Sequence, residues 1–194
     1  MSSAAAIPPP RKRISREEFE SMIDAGIFAG QRCELIDGDL IDKMGQKPPH
    51  ALTIHRTQSR LIRAVGSERV RIQLPIELRG RDRGWSLPEP DVAVLAEPSL
   101  DFERRHPRAD ETILIVEVAD TTARYDLTTK RDLYAHSGAP QYWVLDLARR
   151  ALIVHRDLRA DSAAYADIRV VQAHETVPFA GGEIAVEDLL PHNT

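Results

Sequence analysis

The eight residues TILIVEVA at positions 112–119 constrain the fold of this chain more than any other segment. Their apolar, largely β-branched side chains predict a strand that is buried on both faces of a sheet. Glu117 lies inside this run, so its carboxylate loses much of its hydration when the chain folds. A buried charge needs a cation, a hydrogen-bond network or a raised pKa. The sequence therefore indicates that Glu117 belongs to a site with its own chemistry.

A second acid, Asp91, lies beside another short apolar run in the sequence PEPDVAVL at 88–95. If the two strands are neighbours, the carboxylates of Asp91 and Glu117 lie close together, and a divalent cation relieves their repulsion. Carboxylate and water oxygens suit Mg²⁺ or Mn²⁺. The alternatives are a turn or strand-end acid at Asp91 and a solvent-facing, strand-edge glutamate at Glu117. The two acids together predict a metal site.

Composition limits the class of protein. The 194 residues, 42% hydrophobic and 29% charged, are typical of a globular chain with one domain. No apolar run approaches the length of a membrane span, and the first residues lack the pattern of a secretory signal, so a cytoplasmic protein without a membrane partner is expected. The single cysteine, Cys33, excludes an intrachain disulfide and a cysteine-rich zinc site. The net charge of −4 does not favour indiscriminate nucleic-acid binding, although basic clusters leave local binding open.

Helix and strand patterns alternate along the chain. Residues 1–13 predict a disordered tail, and 14–194 predict one domain. Ser15 and Glu18 predict a capping box, and Asp126 predicts a helix N-cap. The patterns predict helices at 16–25, 48–65 and 127–136, a hairpin at 33–42, strands at 70–78, around Asp91, and at 112–119, 141–146, 151–156 and 166–172, and a helical turn at 186–190. This alternation predicts an α/β (α+β) fold with a mixed sheet.

Lys130 follows Glu117 by 13 residues, in the first turn of the predicted helix at 127–136. A strand–turn–helix connection brings that turn near the carboxyl end of the Glu117 strand. A lysine at a helix start opposes the helix dipole, so it does not serve helix stability. The alternative is a solvated lysine that pairs with Asp126, four residues earlier.

Five motifs together resemble the Uma-type putative restriction endonuclease family of the PD-(D/E)XK nuclease-like superfamily. They are ELIDG at 34–38, PDV at 90–92, IVEV at 115–118, RYDLTTKRDLYA at 124–135 and GAPQYWVLD at 138–146. The resemblance implies a restriction-endonuclease-like mixed β-sheet flanked by helices, with an N-terminal hairpin. In the superfamily pattern an aspartate is followed by an acid, any residue and a lysine. Asp91 and Glu117 match the acids, but Ala119 occupies the lysine position.

The resemblance implies that Lys130 replaces the missing lysine and that Glu34 is an additional metal-site acid beside Asp91 and Glu117. The alternative for Glu34 is a surface acid of the hairpin. The implied activity is Mg²⁺- or Mn²⁺-dependent endonucleolytic hydrolysis of nucleic acid, with DNA as the expected partner and a homodimer as a reasonable assembly.

Three other functions stay open from the sequence. Ala119 and the acidic net charge are compatible with a nuclease-like module that binds DNA or protein without cutting. The acids also suit a metallohydrolase that acts on a small phosphoester. His50 and His55 could form a two-histidine zinc site, although histidines on a helix are more often structural or exposed, and His50 could instead contact substrate.

Overall fold

The computed structural model describes residues 11–43 and 47–192. Four helices are α1 (Arg16–Asp24), α2 (Pro48–Val65), α3 (Ala123–Tyr125) and α4 (Arg131–His136), and a π-helical turn, Asp126–Lys130, joins α3 to α4. The strands are β1 (Cys33–Ile36), β2 (Asp39–Asp42), β3 (Val70–Ile72), β4 (Val92–Leu95), β5 (Thr112–Ala119), β6 (Tyr142–Asp146), β7 (Ala151–Arg159), β8 (Ala164–Gln172), β9 (Thr176–Phe179) and β10 (Gly182–Ala185). Short 3₁₀ turns cover Ser67–Arg69, Gly80–Gly84, Leu100–Glu103, Ala109–Glu111 and Val186–Asp188. Within the described residues, no helix combines the length and apolarity needed to cross a membrane.

Six strands form the central sheet in the order β3-β4-β5-β6-β7-β8. Strands β5 and β6 run parallel, and every other neighbouring pair in this sheet is antiparallel. Two hairpins, β1–β2 and β9–β10, form separate two-stranded sheets. The predicted α/β (α+β) class, with a mixed sheet flanked by helices and an N-terminal hairpin, is confirmed.

The central strand β5 separates two apolar cores. On one face, Ile54 and Leu61 of α2 pack in a cluster with Val116. On the other face, Tyr134 of α4 packs in a cluster with Ile115. Because both faces are covered, β5 is buried along nearly its whole length, as its apolar run predicted.

The N-terminal region matches its predicted helix. The Ser15 hydroxyl accepts a hydrogen bond from the Glu18 backbone, and the Glu18 carboxylate accepts one from the Ser15 backbone, which completes the predicted capping box. Most of the predicted disordered tail, residues 1–10, lies outside the described residues. Next to that segment, Arg13 donates to the Asp37 carbonyl at 2.9 Å, and its guanidinium carbon lies 4.4 Å from the Trp85 ring centroid.

Two predicted elements differ from the structure. The strand predicted at 70–78 ends at Ile72, because Gln73 has φ +50° and the following backbone bonds elsewhere. The Ile76 amide donates to the Pro88 carbonyl instead of a sheet neighbour. Asp126 does not cap a helix that begins at residue 127. It lies inside the helical segment, where its carboxylate accepts a hydrogen bond from the Thr122 hydroxyl at 2.5 Å.

Hairpin β9–β10 has no predicted counterpart. Its turn places Ala180 and Gly181 at φ +50° and +81°. Its strands are short, and Val177, Phe179 and Ile184 pack against the α2-side core. Strands this short give a weak alternating pattern of apolar residues. They depend on packing against residues distant in the sequence, which the local sequence does not show.

Candidate active site

The strand pairing brings Asp91 and Glu117 together. Strands β4 and β5 are antiparallel neighbours, and Val92 lies opposite Val116. One residue beyond that pair, Asp91 is level with Glu117. The Asp91 Oδ2 atom accepts a hydrogen bond from the Val118 amide at 2.9 Å, which fixes the carboxylate against β5. The strands of Asp91 and Glu117 are therefore neighbours in the sheet, as the proposed site requires.

Lys130 lies between two buried acids. Its Nζ atom is 2.8 Å from Glu34 Oε1 and 2.9 Å from Glu117 Oε1, and each of the three side chains is 4% exposed or less. Tyr134, four residues after Lys130, also donates to Glu117 Oε1, at 3.0 Å. Glu117 thus receives two hydrogen bonds from one side of the same helical segment, and its carboxylate has a fixed position.

The π-helical turn sets the direction of Lys130. Lys130 is the last residue of this turn, in the second turn of the helical segment that begins at Ala123 and not in its first. A π-turn inserts an extra residue into the helical repeat and occurs frequently at functional sites. The π-turn was not predicted from the sequence, because no single residue type marks such a turn.

Hairpin β1–β2 delivers Glu34 to the site. Leu35 forms a β-bridge with Leu87, and both backbone hydrogen bonds of the bridge are present. The adjacent Glu34 carboxylate accepts from the Glu89 amide through Oε2 at 3.0 Å, while Oε1 contacts Lys130. Both Glu34 oxygens therefore bind protein groups, and its predicted role as a metal ligand stays a prediction.

Asp91 has a carboxylate that is only partly hydrogen-bonded. Its Oδ1 is buried and has no hydrogen-bond partner among the described residues. Lys43 Nζ lies 3.9 Å from Oδ1, and His50 Nε2 lies 3.6 Å from Oδ2. A buried carboxylate oxygen without a partner costs free energy, and a cation at this position would remove that cost.

Lys43 was not identified from the sequence. Its ammonium also donates to the Glu89 carbonyl, close to the end of β2. Its position depends on how the hairpin docks against the loop before β4, and the local sequence carries no signal of that docking. His50 lies in the first turn of α2, with a buried Nδ1 that has no partner among the described residues.

The two-histidine zinc alternative is not formed in this structure. His50 contacts Asp91, whereas His55 is exposed and lines a different cavity on α2. Residues five apart on a helix point in different directions, so the two imidazoles do not converge.

A cavity of about 440 Å³ opens above the acids. Its rim carries an ion pair between Lys47 and Asp120, with a 3.2 Å separation and side chains that are 68% and 40% exposed. The lining residues are Arg32, Glu34, Ile41, Asp42, Lys43, Lys47, His50, Asp91, Glu117, Val118, Asp120, Thr121, Thr122, Tyr125, Asp126 and Lys130. The buried acids and Lys130 therefore line the same cavity.

Burial controls the electrostatics of this site. It raises the pKa of Glu117 well above the usual carboxyl range; the charges of Lys130 and Lys43 oppose this rise, and those of Asp91 and Glu34 add to it. Burial alone would lower the pKa of Lys130, but the Glu117 and Glu34 carboxylates raise it well above its usual value. Lys130 therefore stays charged, while burial makes ionisation of Glu117 costly.

The donor set fits a hard divalent cation that keeps part of its water shell. Among the described residues, no three His, Cys, Asp or Glu side chains are grouped closely enough to hold a metal ion by themselves. Mg²⁺ is commonly bound by one or two carboxylates, with waters and substrate phosphates as the other ligands. Asp91, through its unpartnered Oδ1, and Glu117 meet that requirement.

Comparisons with known proteins agree with the fold. A model of the Uma2 family, described as "Putative restriction endonuclease", matches residues 16–187. No curated protein matches the chain in sequence. The crystal structure of a putative nuclease belonging to DUF820 from Anabaena variabilis is similar, with a TM-score of 0.69 and 16% identity, and the match covers 91% of this chain and 97% of that one. The family match spans most of the chain, so this protein belongs to the Uma2 family of restriction endonuclease-like proteins.

Proposed function

We propose that this protein is a metal-dependent endonuclease that hydrolyses phosphodiester bonds in nucleic acid. In this proposal Asp91 and Glu117 hold the metal, Lys130 is the electrostatic group, and Glu34 is the supporting acid. The observation that carries the proposal is the convergence of all four side chains at one solvent-accessible cavity, although they come from β1, the start of β4, β5 and the π-helical turn. Family membership supports a nuclease role independently of this geometry.

Each side chain has a distinct role in the proposed reaction. When bound, Mg²⁺ or Mn²⁺ supplies a water of lowered pKa and neutralises phosphate charge. Lys130 supplies positive charge to the phosphate as negative charge develops on its oxygens. Glu34 and Tyr134 hold Lys130 and Glu117 in place through the contacts of 2.8 Å and 3.0 Å. Asp91 is held by the Val118 amide, and its unpartnered Oδ1 would bind the cation.

The surface next to the cavity supports nucleic acid as the substrate. Helix α2 begins at the cavity with His50 and continues with Arg56, Arg60 and Arg63, which line a second cavity together with Arg150. That cavity also contains Glu187 and Asp188, and Arg60 pairs with Asp188 at 3.0 Å. The other arginines of this helix suit contact with a phosphate backbone. We propose DNA as the substrate class.

A second function, binding without cleavage, is favoured by two observations. Ala119 occupies the usual lysine position, and it is fully buried. The Lys130 ammonium already bridges Glu34 and Glu117, so it neutralises part of the acidic charge without a metal. A binding module of this kind would bind nucleic acid or a protein partner with no dependence on Mn²⁺.

A cleavage panel separates these functions. The purified protein would be incubated with duplex DNA, single-stranded DNA, RNA and a small model phosphodiester, with Mn²⁺, with Mg²⁺ and with excess chelator. The nuclease proposal expects polynucleotide cleavage that requires the metal and is lost in Asp91→Asn. Cleavage of the model compound alone would point to a small phosphoesterase, and metal-independent binding without cleavage would support the binding module.

A further inference from the structure

Strand β8 forms one edge of the six-stranded sheet. Within the described residues it pairs with β7 and with no other strand. It is nine residues long, and the side chains of Ile168 and Val170 are 51% and 56% exposed. Long edge strands with exposed apolar side chains are surfaces on which another strand can pair.

The backbone groups on this edge point outward at alternate residues. The Gln172 amide donates to the Glu175 carboxylate at 2.6 Å, and the Gln172 carbonyl accepts from the Glu175 amide at 3.0 Å. Both polar groups of Gln172 are thus directed away from β7. Because strand backbone groups alternate in direction, those of Val170 and Ile168 also point away from β7. They are available to an incoming strand.

The charges on β8 are self-complementary. Asp167 and Arg169 flank Ile168 and point to the opposite face of the strand. On that face the Asp167 carboxylate accepts hydrogen bonds from Arg169 and from Arg156 of β7, so a second copy would extend an existing ion-pair network. If two β8 strands pair antiparallel about Ile168, Asp167 of each lies opposite Arg169 of the other. The same register pairs Ile168 with its own copy and Ala166 with Val170. Opposite charges placed directly across a strand pair stabilise it.

Neighbouring registers are disfavoured by the same two charges. Centring the pair on Asp167 would place two aspartates opposite each other, and centring it on Arg169 would oppose two arginines. Like charges directly opposite destabilise a strand pair. The two charges of β8 therefore favour the register centred on Ile168 over the two registers next to it.

We infer that this protein forms a twofold-symmetric dimer in which the β8 edges of two copies pair antiparallel about Ile168 and join the two sheets into one. The occupant is a second copy because the Asp167–Arg169 pattern complements itself. The interface lies three strands away from β5 in the sheet, so it does not supply residues to the acidic cavity. The inference therefore stands or falls separately from the proposed nuclease activity.

Sedimentation equilibrium on the full chain tests the inference. We expect the wild type to have twice the 21.7 kDa mass of one chain. Ile168→Lys should weaken the dimer at least tenfold, whereas Ile27→Lys, at an apolar side chain that is 59% exposed on another surface, should leave it unchanged. A monomeric wild type, or a dimer that Ile168→Lys does not weaken, would overturn the inference.

A charge-swap experiment tests the register. Asp167→Arg and Arg169→Asp each place like charges opposite one another, so each variant alone should be monomeric. Mixed together, they should form a heterodimer, because two arginines on one strand then face two aspartates on the other. Circular dichroism would confirm that both variants are folded, and Arg169→Glu replaces Arg169→Asp if that variant is not. Single variants that remain dimeric, or monomers that do not associate when mixed, would refute this register.

Discussion

Lys130 and Glu117 form a buried ion pair, with Nζ 2.9 Å from Oε1, although 13 positions separate them in the sequence. Glu34 completes the arrangement from the hairpin, 2.8 Å from the same Nζ. Two carboxylates that share one ammonium in a buried position depend on it for charge compensation. The candidate site is therefore also a point at which stability is sensitive to charge.

Replacing Lys130 by methionine should destabilise the protein strongly. The change keeps an unbranched side chain but leaves Glu34 and Glu117 without their cation, and breaking a buried pair in this way costs about 3–5 kcal/mol. Urea unfolding measures the loss. In a Glu34→Gln/Glu117→Gln background the same Lys130→Met change should cost much less. Equal costs in both backgrounds would show that the ion pairs do not carry the effect.

Asp91→Asn should separate metal binding from folding. The amide keeps the size of the side chain, and its oxygen can still accept from the Val118 amide. Without metal, we expect Asp91→Asn to lose little thermal stability. Mn²⁺ should stabilise the wild type, because a ligand that binds only the folded state raises the free energy of unfolding, but it should not stabilise Asp91→Asn. Asp120→Asn, at a rim residue that is 40% exposed, is the matched control and should retain the Mn²⁺ shift.

Stability should depend on pH through His155, a buried residue away from the cavity. Burial lowers the pKa of His155 to about 4, because the imidazole packs between Tyr142 and Tyr165 and is removed from water. The folded pKa lies below the unfolded value, so this stabilisation is complete above about pH 6.5 and is lost as the pH falls towards 4. By pH 5 the loss should be about 2 kcal/mol.

Comparison with His155→Gln isolates that contribution, because other groups titrate in the same range. The free energy of unfolding of the wild type should fall more steeply between pH 7.5 and 5 than that of the variant. His174→Gln, at an exposed histidine, should retain the wild-type slope. Identical slopes for the wild type and His155→Gln would contradict the assignment.

Gly38→Ala should loosen the hairpin that carries Glu34. Gly38 has φ +81°, and an added Cβ would lie 2.7 Å from the Arg13 Cβ atom. The left-handed conformation alone costs an alanine about 1–2 kcal/mol, and the clash adds to that cost. Gly26→Ala is the control, since Gly26 has φ +73° with open space around it. Equal losses in urea unfolding for the two variants would show that the Arg13 contact contributes nothing.

The sequence predicted the parts of the fold that depend on local patterns. The apolar run around Glu117 predicted β5, and the Ser15–Glu18 pair predicted the start of α1, because both signals lie within a few residues. The strand predicted at 70–78 was too long, because the backbone leaves the sheet at Gln73, which has a positive φ. A glutamine gives no sequence signal for that conformation.

The four residues of the candidate site were named from the sequence, but their geometry was not predicted, and their roles stay predictions. The family resemblance led to Asp91, Glu117, Lys130 and Glu34, and the structure brings them to one cavity. The contact of Lys43 with Asp91 and the donation from Tyr134 to Glu117 were missed. Those contacts depend on how the hairpin docks and on the π-helical turn, which are properties of the assembled fold.

The most direct test of the proposed function is the rate of cleavage of a labelled duplex DNA under single-turnover conditions, with Mn²⁺ and with excess chelator. The wild type should cleave only with the metal. Asp91→Asn and Lys130→Met, each confirmed to be folded, should be slower by about a hundredfold or more, the loss expected when a transition-state contact is removed. Cleavage that survives the chelator, or that is unchanged in Asp91→Asn and Lys130→Met, would contradict the proposed roles of these residues.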